Sequence, residues 1–137
     1  MIDEVGYYLN THHPNVKKVG ILGTTVTLMA KIYPMTLEKY GIKLIEPSKE
    51  IQELFVHPSI YSKQYGIKSF SNPVNKKAKN NVITAATYLS RKGAEAIVLG
   101  CTELPLAINQ KKVEQSLIID ATEILAKALI RQSIINT

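Results

Sequence analysis

Cys101 is the only thiol in the chain, and it stands in the run Gly100-Cys101-Thr102-Glu103, where a strand-breaking glycine, a thiol, a hydroxyl and a carboxylate follow one another. A free cysteine ionises near pH 8.5, and a helix N-terminus or nearby backbone N–H groups at such a turn would lower that value toward a useful thiolate fraction. A second run, Gly23-Thr24-Thr25-Val26-Thr27, gathers its hydroxyls within one turn of chain. Hydroxyls beside the N–H groups of a helix start suit a small anion. Plainer readings stand beside these. Free cysteine is among the most buried residue types, so Cys101 can be core filler. Thr24 or Thr25 can simply cap a helix, a role worth about 1 kcal/mol.

Both runs follow short apolar segments that must position them. KVGILG at 18–23 has no helical period and reads as a buried strand, and IKLIE at 42–46, AIVL at 96–99 and LII at 117–119 read as three more. Between them lie helical patterns. Leu28, Met29, Ile32 and Tyr33 recur at helical spacing up to Pro34, where the helix must end, kink or restart, and Gly41 closes the unit. Ile51, Leu54 and Phe55 form a turn set that Pro58 interrupts, and Val82, Ile83, Ala86 and Leu89 describe a long helix ending near Gly93. Strands alternating with helices predict an α/β fold: a single flavodoxin-like lobe, with a four-stranded parallel sheet of order 2-1-3-4 and helices on both faces. In such sheets ligands bind beyond the carboxyl ends of the strands where the order reverses, between strands 1 and 3. That expectation puts Cys101 at the end of a central strand, within reach of the Thr24–Thr27 loop.

The chain has 137 residues, enough for one domain over 1–137, with a lead-in helix in 1–16 and a terminal helix in 120–137. A hydrophobic content of 45% with 20% charged residues argues against disorder. One cysteine allows neither an intrachain disulfide nor a cysteine-based zinc site, and His12, His13 and His57 lack metal-ligand spacing, so no metal is expected. Lys+Arg exceed Asp+Glu by 17 to 11, but the lysines are spread, and NKKAKNN at 75–81 has no interleaved aromatics. A nucleic-acid partner is therefore not expected. Glu95 and Glu103 interrupt the apolar-rich stretch 94–108, which excludes it as a membrane span, and the acidic N-terminus does not read as a secretory signal. The expected location is the cytoplasm. The glycines of a P-loop and of a dinucleotide fold are absent after strand 1, as is G-x-S-x-G anywhere, so nucleotide binding and α/β-hydrolase chemistry have no support.

Three segments carry a resemblance: VGILGTTVTLMAKIY from Val19 to Tyr33, AIVLGCTELPL at 96–106, and IIDATEILAKA at 118–128. Together they resemble the C-terminal half of the aspartate/glutamate racemase family, over almost the whole chain. The resemblance implies inversion at Cα of an acidic amino acid without metal or pyridoxal phosphate, by two cysteines, one in each of two similar lobes facing across a cleft. Cys101 falls on the second of these cysteines, and the lobe carrying the first is missing. Thr24 and Thr27 fall on hydroxyl donors to a substrate carboxylate, with Thr25 in the same loop, and Thr102 on a donor beside the thiol. Glu103 either binds the substrate ammonium or fixes its loop. Tyr33 falls on a family tyrosine, but its helical spacing from Met29 reads as packing, which leaves it outside the site.

Two functions follow as expectations. One is a lobe of a cofactor-independent racemase with Cys101 as an acid/base residue, weak or inactive alone because a single thiol serves one face of Cα. The other is a catalytically silent, truncated lobe that binds a small carboxylate or a partner protein. Val5, Tyr8 and Leu9 at one end, with Ile124, Leu125, Ala128, Leu129 and Ile135 at the other, form apolar stripes. Left exposed, they would favour a homodimer or a complementary lobe, and a two-fold dimer could bring two copies of Cys101 to opposite sides of one cleft.

Overall fold

The computed structural model describes residues 2–135. Met1, Asn136 and Thr137, the outer ends of the expected span, and the side chain of Ile135 lie outside the described residues. The sheet contains β1 (Lys18–Leu22), β2 (Lys43–Ile45), β3 (Ala96–Leu99), β4 (Lys112–Val113) and β5 (Ser116–Asp120), in the order β2-β1-β3-β5-β4. All pairings are parallel except β4 against β5. The expected parallel order is therefore present, with β5 as its fourth strand, but the sheet has five strands rather than four. The addition is a hairpin: Lys112 and Val113 turn through Glu114, which has φ of 50°, back onto Ser116 and Leu117. A two-residue edge strand led by lysine leaves little open ladder for another chain to pair with.

Side-chain alternation along the strands sorts the core onto two faces. Val19, Ile21, Ala96, Val98 and Ile119 face α1 (Ile2–His12), α3 (Ile32–Glu38) and α7 (Ala121–Ile135). Leu22, Ile97 and Leu99 face α5 (His57–Tyr61) and α6 (Lys76–Arg91). Helices thus cover both faces. The lead-in helix is shorter than expected, and the apolar stripe of the N-terminal segment is not left open: Val5 and Leu9 are fully buried within this lobe, as are most of Ile124 and Ala128. Leu129, Ile130 and Ile134 on the other side of α7 are exposed.

Two helices depart from the sequence pattern. The segment after β1 divides into α2 (Thr25–Met29) and α3, and the break comes at Lys31, which adopts φ of 58°, before Pro34 is reached. Pro34 then sits in the first turn of α3, where its missing N–H has no intrahelical partner to lose. Pro58 does not end its helix either. After α4 (Lys49–Ile51), residues Gln52–Val56 form a π-helical segment that runs directly into α5. The wider turn shifts the buried face, so that Gln52, Val56, Ser59 and Ile60 point inward while Leu54 is exposed.

Candidate active site

Strands β1 and β3 pair with Leu22 opposite Leu99, and just beyond them the Gly100 N–H donates to the Leu22 carbonyl at 2.7 Å. That bond joins the two candidate loops at the sheet's carboxyl edge. Thr24 is the N-cap of α2: its Oγ1 accepts from the Thr27 N–H at 3.2 Å and shares a 2.9 Å hydrogen bond with Thr27 Oγ1. Thr25 is tied differently. The buried Gln52 amide donates through Nε2 to the Gly23 carbonyl at 3.0 Å and to Thr25 Oγ1 at 3.3 Å. Thr25 and Gln52 line a separate groove of about 460 Å³ with Met29, Lys31 and Glu46, toward the end of β2 rather than β3. The structure therefore groups Thr24 with Thr27, and sets Thr25 apart on the β2 side.

Cys101 is half-buried at the end of β3, packed against the α6 side of the core. Its surroundings push the thiol upward in pKa. Burial is the largest cause and the Glu103 carboxylate adds to it, while N–H groups of Leu104 and Glu103, at the short 3-10 turn Leu104–Leu106, pull the other way and do not prevail. This corrects the expectation of a lowered thiol: the donors are there, but desolvation outweighs them. At neutral pH Cys101 rests as the protonated thiol. Glu103 accepts from Lys68 Nζ at 2.6 Å and from Thr102 Oγ1 at 3.2 Å. The ammonium of Lys68 is the main reason its carboxyl is held below the usual range. Thr102, Glu103 and Lys68 thus form one polar chain beside the thiol, with the Glu103 charge already paired.

Three residues beside the candidate loops were not among the expected site residues. Lys68 comes from the loop 66–73 and carries no motif. Its position is set by backbone bonds of Ile67 N–H to the Ser59 carbonyl and Lys68 N–H to the Ile60 carbonyl, and by Gly66, where a Cβ would lie 2.5 Å from Ser62 backbone atoms. Gln52 is turned inward by the π-helical segment, which no local pattern announces. Tyr33, assigned to packing, is indeed 2% exposed, yet its hydroxyl reaches the strand end beside Gly100. A side chain there would crowd it, since a Cβ on Gly100 would stand 3.4 Å from Tyr33 Oη and 2.9 Å from Ile21 Cδ1. His12 lies exposed at the end of α1, stacked on Tyr8, and His57 is exposed at the start of α5. Among the described residues, no group of three His, Cys, Asp or Glu side chains is placed to hold a metal ion, and no helix is long and apolar enough to cross a membrane.

Comparison with known proteins bears on the family and the fold. A family model described as Asp/Glu/Hydantoin racemase matches residues 1–129. An uncharacterized protein encoded in the pnlA 3' region of Pectobacterium carotovorum subsp. carotovorum is 34% identical over 116 residues, covering 84% of this chain and 72% of that protein. Among solved structures, an aspartate racemase homologue from Pyrococcus horikoshii OT3 is 33% identical with a TM-score of 0.78, over 96% of this chain and 54% of that one. The Picrophilus torridus aspartate racemase is 29% identical with a TM-score of 0.73, over 96% of this chain and 50% of that one. The chain spans about half the length of these solved structures.

Proposed function

From its membership of the Asp/Glu/Hydantoin racemase family, to which the chain belongs, we propose that it is one lobe of a cofactor-independent amino-acid racemase in which Cys101 is one of two acid/base thiols. The observation that carries this reading is the position of Cys101: just beyond β3, with the Thr24–Thr27 loop on the adjoining strand. The Cα–H of an amino acid is a very weak acid, so inversion needs a thiolate on one face to remove the proton and a thiol on the other to return one. A thiol held protonated by burial and by Glu103 is suited to the returning role. Thr24, Thr27 and Thr102 are the hydroxyls that the family resemblance assigns to a substrate carboxylate, and Lys68, paired to Glu103, brings a cation to the loop after β3. The substrate class is an acidic amino acid such as aspartate or glutamate. The second thiol has to come from outside this lobe, whether from a complementary lobe or from a second copy.

Incubating the chain with aspartate or glutamate in D2O tests this, with Cα deuteration followed by NMR and inversion by optical rotation. The expected result is slow exchange with retention, abolished in Cys101→Ser. Exchange that persists in Cys101→Ser would remove Cys101 from the chemistry, and rapid racemisation by a monomer would sink the two-thiol requirement. A second reading is favoured by the Glu103 charge being already paired to Lys68: a silent lobe that binds a small carboxylate or a partner protein. Saturable binding of the amino acid with no exchange at all would select it.

A further inference from the structure

Tyr33 brings a phenol to the same sheet edge. It sits in the first turn of α3, its ring is among the largest fully buried side chains, and its hydroxyl is sealed from solvent without a hydrogen-bond partner. Such a hydroxyl forgoes its bonds to water and costs roughly 1–3 kcal/mol, so a retained orphan asks for an explanation. Its surroundings are specific. The hydroxyl stands beside Gly100, the residue before Cys101: a Cβ on Gly100 would lie 3.4 Å from Tyr33 Oη, and the two atoms it would meet more closely are Ile21 Cδ1 and the Leu22 carbonyl, which already accepts from the Gly100 N–H. We infer that Tyr33 is a positioning residue for Cys101: its hydroxyl is the donor that the sulfur takes up when the thiol ionises, so that proton loss at Cys101 satisfies a hydrogen bond left open in the resting state.

The electrostatics agree in sign. Burial is the first cause that raises the Tyr33 pKa and the charge of ionised Cys101 is the second, so formation of the thiolate favours the phenol in its protonated, donating form. The other titratable groups at the thiol are Glu103, from the loop after β3, and Lys68, from the loop after α5. Asp120, on the neighbouring strand β5, directs its carboxylate to the N–H groups of Thr122 and Glu123. Of these groups, only Tyr33 offers a hydroxyl with no acceptor of its own. Donating to a thiolate stabilises it relative to the thiol, which opposes the burial that raises Cys101. The inference deepens the acid/base reading of Cys101 and relies on it for its purpose, but it concerns the ionisation of the thiol itself.

The test uses Tyr33→Phe, which keeps the ring and deletes the donor. The pH dependence of iodoacetamide alkylation of Cys101 reports the thiol pKa directly. The expected result is a pKa about one unit higher, read as roughly tenfold slower alkylation below the pKa with the same limiting rate at high pH. A thiol pKa unchanged from wild type, with the fold intact by thermal melting, overturns the inference. Should Tyr33→Phe fail to fold, Cys101→Ser decides: with 13Cζ-labelled tyrosine, the Tyr33 resonance should titrate at lower pH than in wild type, and an unshifted titration overturns the inference. Absence of amino-acid exchange alongside a shifted thiol pKa would sink the racemase reading alone and leave the coupling of Tyr33 to Cys101 standing.

Discussion

Glu103 acts on its neighbours in opposite directions: its charge draws in Lys68 and discourages ionisation of Cys101. Glu103→Gln keeps the size and an acceptor but removes the charge, so the Cys101 thiol should ionise at lower pH. Iodoacetamide alkylation near neutral pH is expected to rise severalfold, and an unchanged rate would show that burial alone sets the thiol. The same substitution affects stability with a definite sign. A carboxyl whose folded pKa is depressed contributes stability above the pKa of a free glutamate, about 4.3, and loses it as pH falls through the lower, folded value. Thermal melting should therefore separate wild type from Glu103→Gln near pH 6 and bring them together at strongly acid pH. A gap of constant size across that range would contradict the pairing with Lys68. Cys101 and Glu103 were legible in the sequence because their residue types and the glycine before them announce a strand-end loop. Lys68 was not, because its distance of 35 positions from Glu103 is bridged only by the folded loop.

The secondary-structure elements show where local pattern suffices and where it fails. Strands β1 and β3 and helix α6 could be read because their apolar periods are uninterrupted, and α6 starts at Asn75, whose side chain accepts from the Lys77 N–H. Strand β4 is two residues long and turns on a glutamate in the left-handed region rather than on glycine, so neither period nor turn residue marks it. Around Pro58 the π-helical segment changes the period itself, moving Gln52 inward against the loop after β1. Gln52→Ala would leave the buried Gly23 carbonyl without its side-chain donor and should cost roughly 1–3 kcal/mol in urea unfolding. A loss below about 0.5 kcal/mol would mean that water replaces the amide at no cost. At the other loop, Gly100→Ala forces a methyl against Ile21 Cδ1 and the Leu22 carbonyl, with an expected loss of about 1–3 kcal/mol. An unaltered unfolding midpoint would show that the β1 and β3 ends separate readily.

At the scale of the molecule, the two-sided core explains why the terminal helices are parts of this lobe rather than loose arms. Helix α1 packs on α3 and α7, and Arg131 of α7 reaches Glu4 at 3.3 Å while lying over the Tyr7 ring. The ion pair is half-exposed and contributes little; the buried stripe supplies the attachment. Leu9→Ala should therefore lower stability by about 2–5 kcal/mol, whereas Leu129→Ala, on the exposed side of α7, should change it by no more than about 0.5 kcal/mol. Equal effects in chemical denaturation would return α1 to the status of an unpacked arm. The apolar stripes themselves were visible in the sequence, but which neighbour they cover was not, because periodicity fixes the face of a helix and says nothing of its partner.

The pairing of β1 with β3 also bears on the order in which the chain acquires its chemistry. Bond partners across that junction, such as Lys18 and Glu95, are 77 residues apart, and β2, the strand between them in the chain, pairs with the opposite edge of β1. Closing so long a loop costs entropy before any contact repays it, so the β1–β3 junction is expected to close after the more local contacts. On that expectation the two candidate loops come together only when the junction closes. Cleaving the chain once within 66–73 would leave the threonine loop on one fragment and the thiol on the other. The thiol should then gain its shielded environment only when the fragments reassociate, which makes its alkylation rate a clock for the final step of assembly.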